Sequence, residues 1–406
     1  MNNFEKYAEL LLKKCLSMKA GQPLVITAPL ESYEFVRVLT KQAYEMGVHD
    51  IYFDFTDSYL KYYQLRNFNV EELENSLFWN KKIYDEYAKK DGAFLMLTAE
   101  ESDVYVDVDS ERLAKANLVS RTSRPIYKEK QGKYEVAWCI AMVSTEISSK
   151  KVFPNVENSK DKLWEEIFKA CLVDKEDPLK EWDLKKDNNK KNVNKLNSLN
   201  LRKLHYTNSL GTDFTVELGE GHVWCGADEE MPDGTPLIVN MPTEEIFTSP
   251  LMNSTEGIVY ASKPLVYNGT LIDKFWLKFE HGKVVDFDGE IGKDVLKTLI
   301  DFDEGSSKLG EVALVEYDSP ISNSNILFYN TLFDENAACH LALGIGFPSC
   351  YKDGVNMTKE ELLEVGINQS NEHTDFMIGT SDLKIVGITD LDEEVVIFEN
   401  GNFAWE

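Results

Sequence analysis

Four short apolar runs punctuate the first 150 residues: PLVITA (23–28), DIYFDF (50–55), GAFLMLTA (92–99) and AWCIAMVS (137–144). Each has the length of a strand. Between them lie segments whose apolar residues recur at helical spacing. ESYEFVRVLTKQAYEMG follows the first run and reaches Gly47, where a helix stop is expected. A long mixed stretch predicts helix from about 68 to 90, and SERLAKANLVSRTSRPIY predicts a helix ended near Pro125. The N-terminal MNNFEKYAELLLKKCLSMKAGQ carries charges among its leucines and reads as an amphipathic helix, not a signal peptide. Continuous apolar strands separated by amphipathic helices predict a mostly parallel, helix-covered sheet.

The pattern changes after LKKDNNKKNVNK (184–195), a polar tract readable as a solvated helix face or a flexible connection. Beyond it, LRKLHYTNSLGTDFTVELG, LIDKFWLKFEHGKVVDFDG, KIVGITD and EVVIFENGNFAWE alternate polar with β-branched or aromatic residues. Asn268-Gly269, His281-Gly282 and Asn400-Gly401 supply the turns. The expected organisation is an α/β domain over 1–198 and a β-rich α+β domain over 199–406. Inside the second, the clearest helix is expected to start near Asp334 and to run through HLALG. LGEGHVWCG (218–226) reads as strand and turn.

Composition narrows the function. Hydrophobic residues make up 43% of the 406, with 11% aromatic, enough for a large core. Lys and Arg total 43 against 70 Asp and Glu, a formal charge of −27. That charge repels nucleic acid and anionic lipid, and no apolar window of about 18 residues predicts a membrane span. Cys15, Cys139, Cys171, Cys225, Cys339 and Cys350 form no CxxC and no regular spacing, so reduced thiols and a cytoplasmic location are expected. Neither GxGxxG after the first strand nor GxxxxGK[ST] occurs, which removes most of the case for a nucleotide-binding loop.

The candidate chemistry lies in the last 165 residues or so. His373 and Asp375 are two apart before the apolar FMIG; on a strand they face one side. Zinc, cobalt or manganese accepts such a mixture of nitrogen and oxygen ligands. His340 is flanked by Ala, Cys and Leu, Glu335 stands at the expected helix start, Glu245 lies between two prolines, and Glu311 opens the apolar EVALV. Each residue alone has an ordinary structural explanation: a capping pair, a core histidine, an acidic first turn, a strand-end acid.

Together they resemble the thermophilic aminopeptidase family of metallopeptidases, the aminopeptidase T and S type. The resembling blocks are NMPTEEIFTSP (240–250), LGEVALV (309–315), SPI (319–321), LFDENAACHLALG (332–344) and HTDFMIG (373–379), with LHYTNSLGTDFTVEL (204–218) and the N-terminal α/β pattern in support. The likeness runs over essentially the whole chain. It implies a homodimeric exopeptidase with two divalent metal ions, acting on peptides with a free N-terminus. Glu245, Glu311, Glu335, His340, His373 and Asp375 match the family's metal-site motifs, with Glu311 as the bridging acid; Glu311, Glu245 and His373 are also its candidate catalytic residues. One position departs from the family pattern: Phe347 stands where a Tyr is expected seven residues after the His.

The leading expectation is two-metal hydrolysis of the N-terminal peptide bond, in which the ions lower a water's pKa to about 7, polarise the carbonyl and hold the free α-amine. Glu245 and Glu335 are the candidates for moving protons. Phe347 motivates an alternative, a metal-binding paralogue that binds peptides with weak or no turnover. A small-molecule amidohydrolase is a third reading, against which the several peptidase-like blocks stand.

Overall fold

The computed structural model describes residues 1–69, 72, 78–105, 107–109, 112–113, 115–116, 119–120, 123–226, 229–267 and 270–405. The chain forms two compact units, Met1–Leu184 with Asp228–Thr243, and Lys185–Ala227 with Glu244–Glu406.

The first unit is built on the four apolar runs. They become β1 (Leu24–Pro29), β2 (Ile51–Thr56), β3 (Ala93–Thr98) and β4 (Trp138–Met142). All pair in parallel, in the order β4-β3-β1-β2, and the two-residue strand Asn240–Met241 adds a fifth position beside β4. β1 and β3 are buried on both faces, which is why they read as unbroken apolar runs. The helix Tyr33–Glu45 buries Phe35, Val36, Leu39 and Ala43, one stripe at helical spacing, and Gly47 follows at φ +87°. Phe4, Tyr7, Phe35, Trp164 and Phe168 interlock in edge and stacked contacts beneath it.

Two helix expectations change in detail. The stretch 68–90 contributes Phe78–Lys89, preceded by a separate helix Ser58–Asn67, with 70–71 and 73–77 outside the described residues. Much of 110–122 also lies outside them, and Pro125 begins a helix, Pro125–Gly132, where one was expected to end. Its fixed φ and missing N–H suit the first turn. The Asn/Lys tract belongs to the helix Pro178–Ser198, so it is a solvated helix face rather than a flexible connection.

The second unit is antiparallel. Its larger sheet has the long hairpin Thr270–Glu280/Lys283–Ile291 towards one side, Leu201–Thr207 in the middle and the C-terminal strands on the other side. His281 and Gly282 both have positive φ, as do Asn400 and Gly401, the geometry that tight hairpins require. The Asn268-Gly269 turn lies outside the described residues. A second sheet, in the order β9-β8-β7-β6-β5, comprises β5 (Cys225–Gly226), β6 (Ile246–Thr248), β7 (Leu309–Leu314), β8 (His340–Gly344) and β9 (His373–Met377). One apolar core joins the two sheets: Leu204, Tyr206, Phe214 and Phe275 from the larger pack with Val312, Leu341, Leu343 and Phe376 from the smaller.

The helix expected from Asp334 through HLALG is corrected. Helical turns cover only Thr331–Asp334 and Glu335–Ala337; Ala338 is fully extended, and His340–Gly344 is a central strand. Pairing with β7 and β9 on either side overrides the helix propensity of the Ala- and Leu-rich segment. A strand buried on both faces shows no alternation, so periodicity cannot separate it from a helix.

Candidate metal centre

The smaller sheet sends one set of alternate residues into the core and the other set to the opposite face. On β7, Val312 and Leu314 join the core; on β8, Leu341 and Leu343; on β9, Phe376. The two-residue period therefore turns Glu311, His340, His373 and Asp375 to the other side together. Register places Ala342 opposite both Glu311 and Asp375, and Ala313 opposite His340. These small side chains leave room between the ligand-bearing ones. A bulge before Glu311 sets its direction. It falls at Gly310, where a Cβ would lie 2.3 Å from the Ile345 carbonyl oxygen.

Two groups of three potential ligands result. Glu245, Glu311 and His340 each offer an atom within 4.8 Å of the others, as do Glu311, His373 and Asp375. Glu311 belongs to both. His340 Nε2 lies 3.2 Å from Glu245 Oε2, and His373 Nε2 lies 3.2 Å from Glu311 Oε2 and 3.3 Å from Asp375 Oδ1. Glu335 falls outside both groups, although Glu245, Asp375 and Glu311 act on it electrostatically.

The two imidazoles are anchored alike. His340 Nδ1 donates to the Ala338 carbonyl at 3.2 Å, and His373 Nδ1 to the Ile345 carbonyl at 3.0 Å. A carbonyl only accepts, so each Nδ1 carries a proton. In the neutral ring, Nε2 is then a lone pair facing carboxylate oxygens. That arrangement is repulsive unless a cation or a second proton intervenes. His340 Nε2 and Asp375 Oδ1 are buried without an aligned hydrogen-bond partner. Orphaned nitrogen and oxygen atoms and Nδ1-anchored imidazoles fit a divalent ion of the zinc, cobalt or manganese kind.

Charge repulsion within the cluster is visible in its titration. Burial, with Glu245 and Asp375 adding to it and His373 opposing, pushes Glu311 up to about 7. Burial and the charges of Glu245 and Asp375 hold Glu335 well above the usual carboxylate range. Burial works against the charged form of His340, but the facing Glu245 outweighs it and raises the imidazole to about 10. His373 is raised in the same way by Asp375 and Glu311, while Asp375 is lowered by His373 despite its burial.

Other residues hold this cluster in position, and sequence reasoning missed them. Asn336 is fully buried; its Oδ1 accepts from the Glu244 N–H at 2.6 Å and its Nδ2 donates to the Leu332 carbonyl at 2.9 Å. It therefore ties the segment of Glu245 to the turn of Glu335. Asn189 donates to the Glu244 and Glu245 carbonyls. The only sequence signal for Asn336 is an amide between a candidate ligand and an Ala-Ala pair. The Phe347 ring lies 4.9 Å from the His373 ring and 5.3 Å from Phe247, so this departure from the family pattern sits beside a candidate ligand. Tyr351 pairs with His222, and its ring lies against Gly219 and Gly221.

Comparison with known proteins identifies the family. Residues 1–403 match a family model described as thermophilic metalloprotease (M29). Aminopeptidase 2 of Geobacillus stearothermophilus is 41% identical, covering 100% of both chains. Aminopeptidase AmpS of Bacillus subtilis is 39% identical over 98% of each, and aminopeptidase T of Thermus aquaticus is 34% identical over 99% of this chain and 98% of that one. The solved structure of wild-type AmpT from Thermus thermophilus superposes with a TM-score of 0.92 at 31% identity, covering 99% of each chain. A family match over nearly every residue, with relatives of equal length and one matching fold, places this chain in the thermophilic metalloprotease family.

Proposed function

We propose that this chain is a metal-dependent aminopeptidase that releases N-terminal residues from peptides, using two divalent ions held by Glu245, Glu311, Glu335, His340, His373 and Asp375. The observation that carries the two-ion reading is the pair of three-ligand groups sharing Glu311. Charge agrees with it: four carboxylates, Glu245, Glu311, Glu335 and Asp375, are balanced by two divalent cations with both imidazoles neutral. The aminopeptidase names of the relatives supply the reaction class.

When bound, such ions activate a water and polarise the scissile carbonyl. The chain's own residues do the rest. Glu311 sits between the two groups and fixes their spacing. His340 and His373 are locked in one tautomer by backbone carbonyls, which keeps Nε2 available. Glu335 lies outside both groups, and burial and its acidic neighbours hold it well above the usual carboxylate range. It is the carboxyl best able to exchange a proton with the reacting water and the leaving amine; Glu245 is the other candidate. A cytoplasmic homodimer belongs to the same reading, and the irregular spacing of the six cysteines supports it as far as compartment is concerned.

The test is elemental analysis with a substrate panel. Two equivalents of metal per chain, and cleavage of leucine amide but not its N-acetyl form, are expected. A metal-free protein after reconstitution, or equal cleavage of blocked substrates, contradicts the proposal.

A further inference from the structure

A cavity of about 490 Å³ opens in the second unit, lined among others by Ser262, Lys263, Ser322, Asn325, Thr380 and Asp382. Its size falls within the range of small-ligand sites. Its lining is rich in hydroxyl and amide groups and contains one cation, Lys263.

Lys263 is unusual in this chain. Carboxylates outnumber Lys and Arg by 70 to 43, so surface cations have abundant partners. Yet half-buried Lys263 makes no ion pair or hydrogen bond among the described residues. The nearby acids are engaged elsewhere. Asp334 accepts from the Phe328 and Asn330 N–H groups at 2.8 and 3.0 Å. Asp382 accepts from the Ser209 N–H at 2.9 Å and the Thr380 hydroxyl at 2.7 Å. Burial holds the Lys263 ammonium below the usual lysine range, with Asp334 opposing. An ammonium with no direct ion pair in a partly dehydrated position is costly unless something else supplies a contacting charge. A second atom points the same way: Ser262 Oγ is buried and has no hydrogen-bond partner. The Ser262 N–H donates to the Met377 carbonyl at 2.8 Å, which fixes this segment to the end of β9.

We propose that this cavity binds a small oxyanion of the carboxylate or phosphate kind, with Lys263 supplying the charge and the Ser262 hydroxyl a hydrogen bond. A hydroxyl and an amide, from Ser322 and Asn325, add neutral donors. Two sources carry such a group: the C-terminal carboxylate of a peptide substrate, or a free anion. The first source rests on the aminopeptidase reading; the second does not.

The experiment uses the metal-loaded protein and its Lys263→Met, Lys263→Arg and Ser262→Ala variants, each checked for an unchanged circular dichroism spectrum. Titration calorimetry with inorganic phosphate is the first arm. The second compares kcat/KM on Leu-Gly-Gly with that on its C-terminal amide. A charge-assisted hydrogen bond corresponds to about tenfold or more in affinity. Phosphate binding weakened about tenfold by Lys263→Met, less by Lys263→Arg, supports the site with a free anion as occupant. A carboxylate-over-amide preference that collapses in Lys263→Met and Ser262→Ala supports it with the peptide terminus as occupant. Phosphate binding and substrate preference that are both indifferent to Lys263 and Ser262 overturn the proposal. Failure to cleave either peptide counts against the aminopeptidase reading, and the phosphate arm still decides the site.

Discussion

At the residue scale, Phe347 and Asn336 have separable consequences. Phe347 lies against His373 without a hydroxyl to offer. Restoring the phenol with Phe347→Tyr adds a donor beside the candidate ligands; in a comparable oxyanion site one donor is worth about 10²–10³ in rate. The expected outcome is a rise in kcat with unchanged metal content. An unaltered or lower kcat shows that this chain compensates otherwise, and defeats the idea of a paralogue slowed by Phe347. Asn336 acts on the backbone. Asn336→Leu keeps the volume but leaves the Glu244 N–H unsatisfied, at about 1–3 kcal/mol. Because Asn336 joins the Glu245 segment to the Glu335 turn, metal affinity, read by competition with a chelator, is expected to fall along with stability. A loss of melting temperature with no change in metal affinity contradicts the positioning role. The candidate ligands were legible as a set from the family blocks. Asn336 was not, because a buried amide flanked by alanines has no periodic signal and its partner is about 90 residues away in sequence.

At the element scale, the site depends on alternation across three strands. HTDFM shows it openly, with His373 and Asp375 on one face and Phe376 in the core. HLALG hides it, because every residue of β8 is buried whichever way it points. That is why the segment read as a helix. The register makes a prediction that the sequence could not. Ala342 faces the cluster between Glu311 and Asp375. Ala342→Leu should push a branched side chain into the ligand space, with an overpacking cost of about 1–3 kcal/mol and bound metal reduced to less than half. Full metal content in a folded Ala342→Leu protein would show that the space between these carboxylates is not where the ion sits. The hairpins of the larger sheet were legible for a simpler reason: His281-Gly282 and Asn400-Gly401 adopt the positive φ values their residue types favour.

At the scale of the whole molecule, the parallel sheet was legible in its four apolar runs, but its fifth strand was not. Asn240–Met241 is two residues long and pairs with Ile140 and Ala141 about 100 residues earlier. No local pattern announces such a pairing. Charge is the other global property, and it bears on metal removal. In the metal-free chain, Glu311 is raised to about 7 and His340 to about 10. For a group whose folded pKa is raised, the folded form holds a proton that the unfolded chain has already released, so stability falls as pH rises through the interval. Glu311 contributes this loss from about 4.5 to 7 and His340 from about 6.5 to 10, in the same direction. A divalent metal held by these side chains would replace those protons and bind more tightly as they leave. At about 100 times its dissociation constant it adds about 2.7 kcal/mol to folding. The metal-free protein should therefore lose melting temperature between pH 5.5 and 8.5, and the gap between loaded and chelated protein should widen over the same range. Differential scanning calorimetry at a fixed metal excess measures both. A gap that stays constant or narrows with rising pH would mean that protons and metal do not compete for these side chains, and would remove Glu311 and His340 from the ligand set.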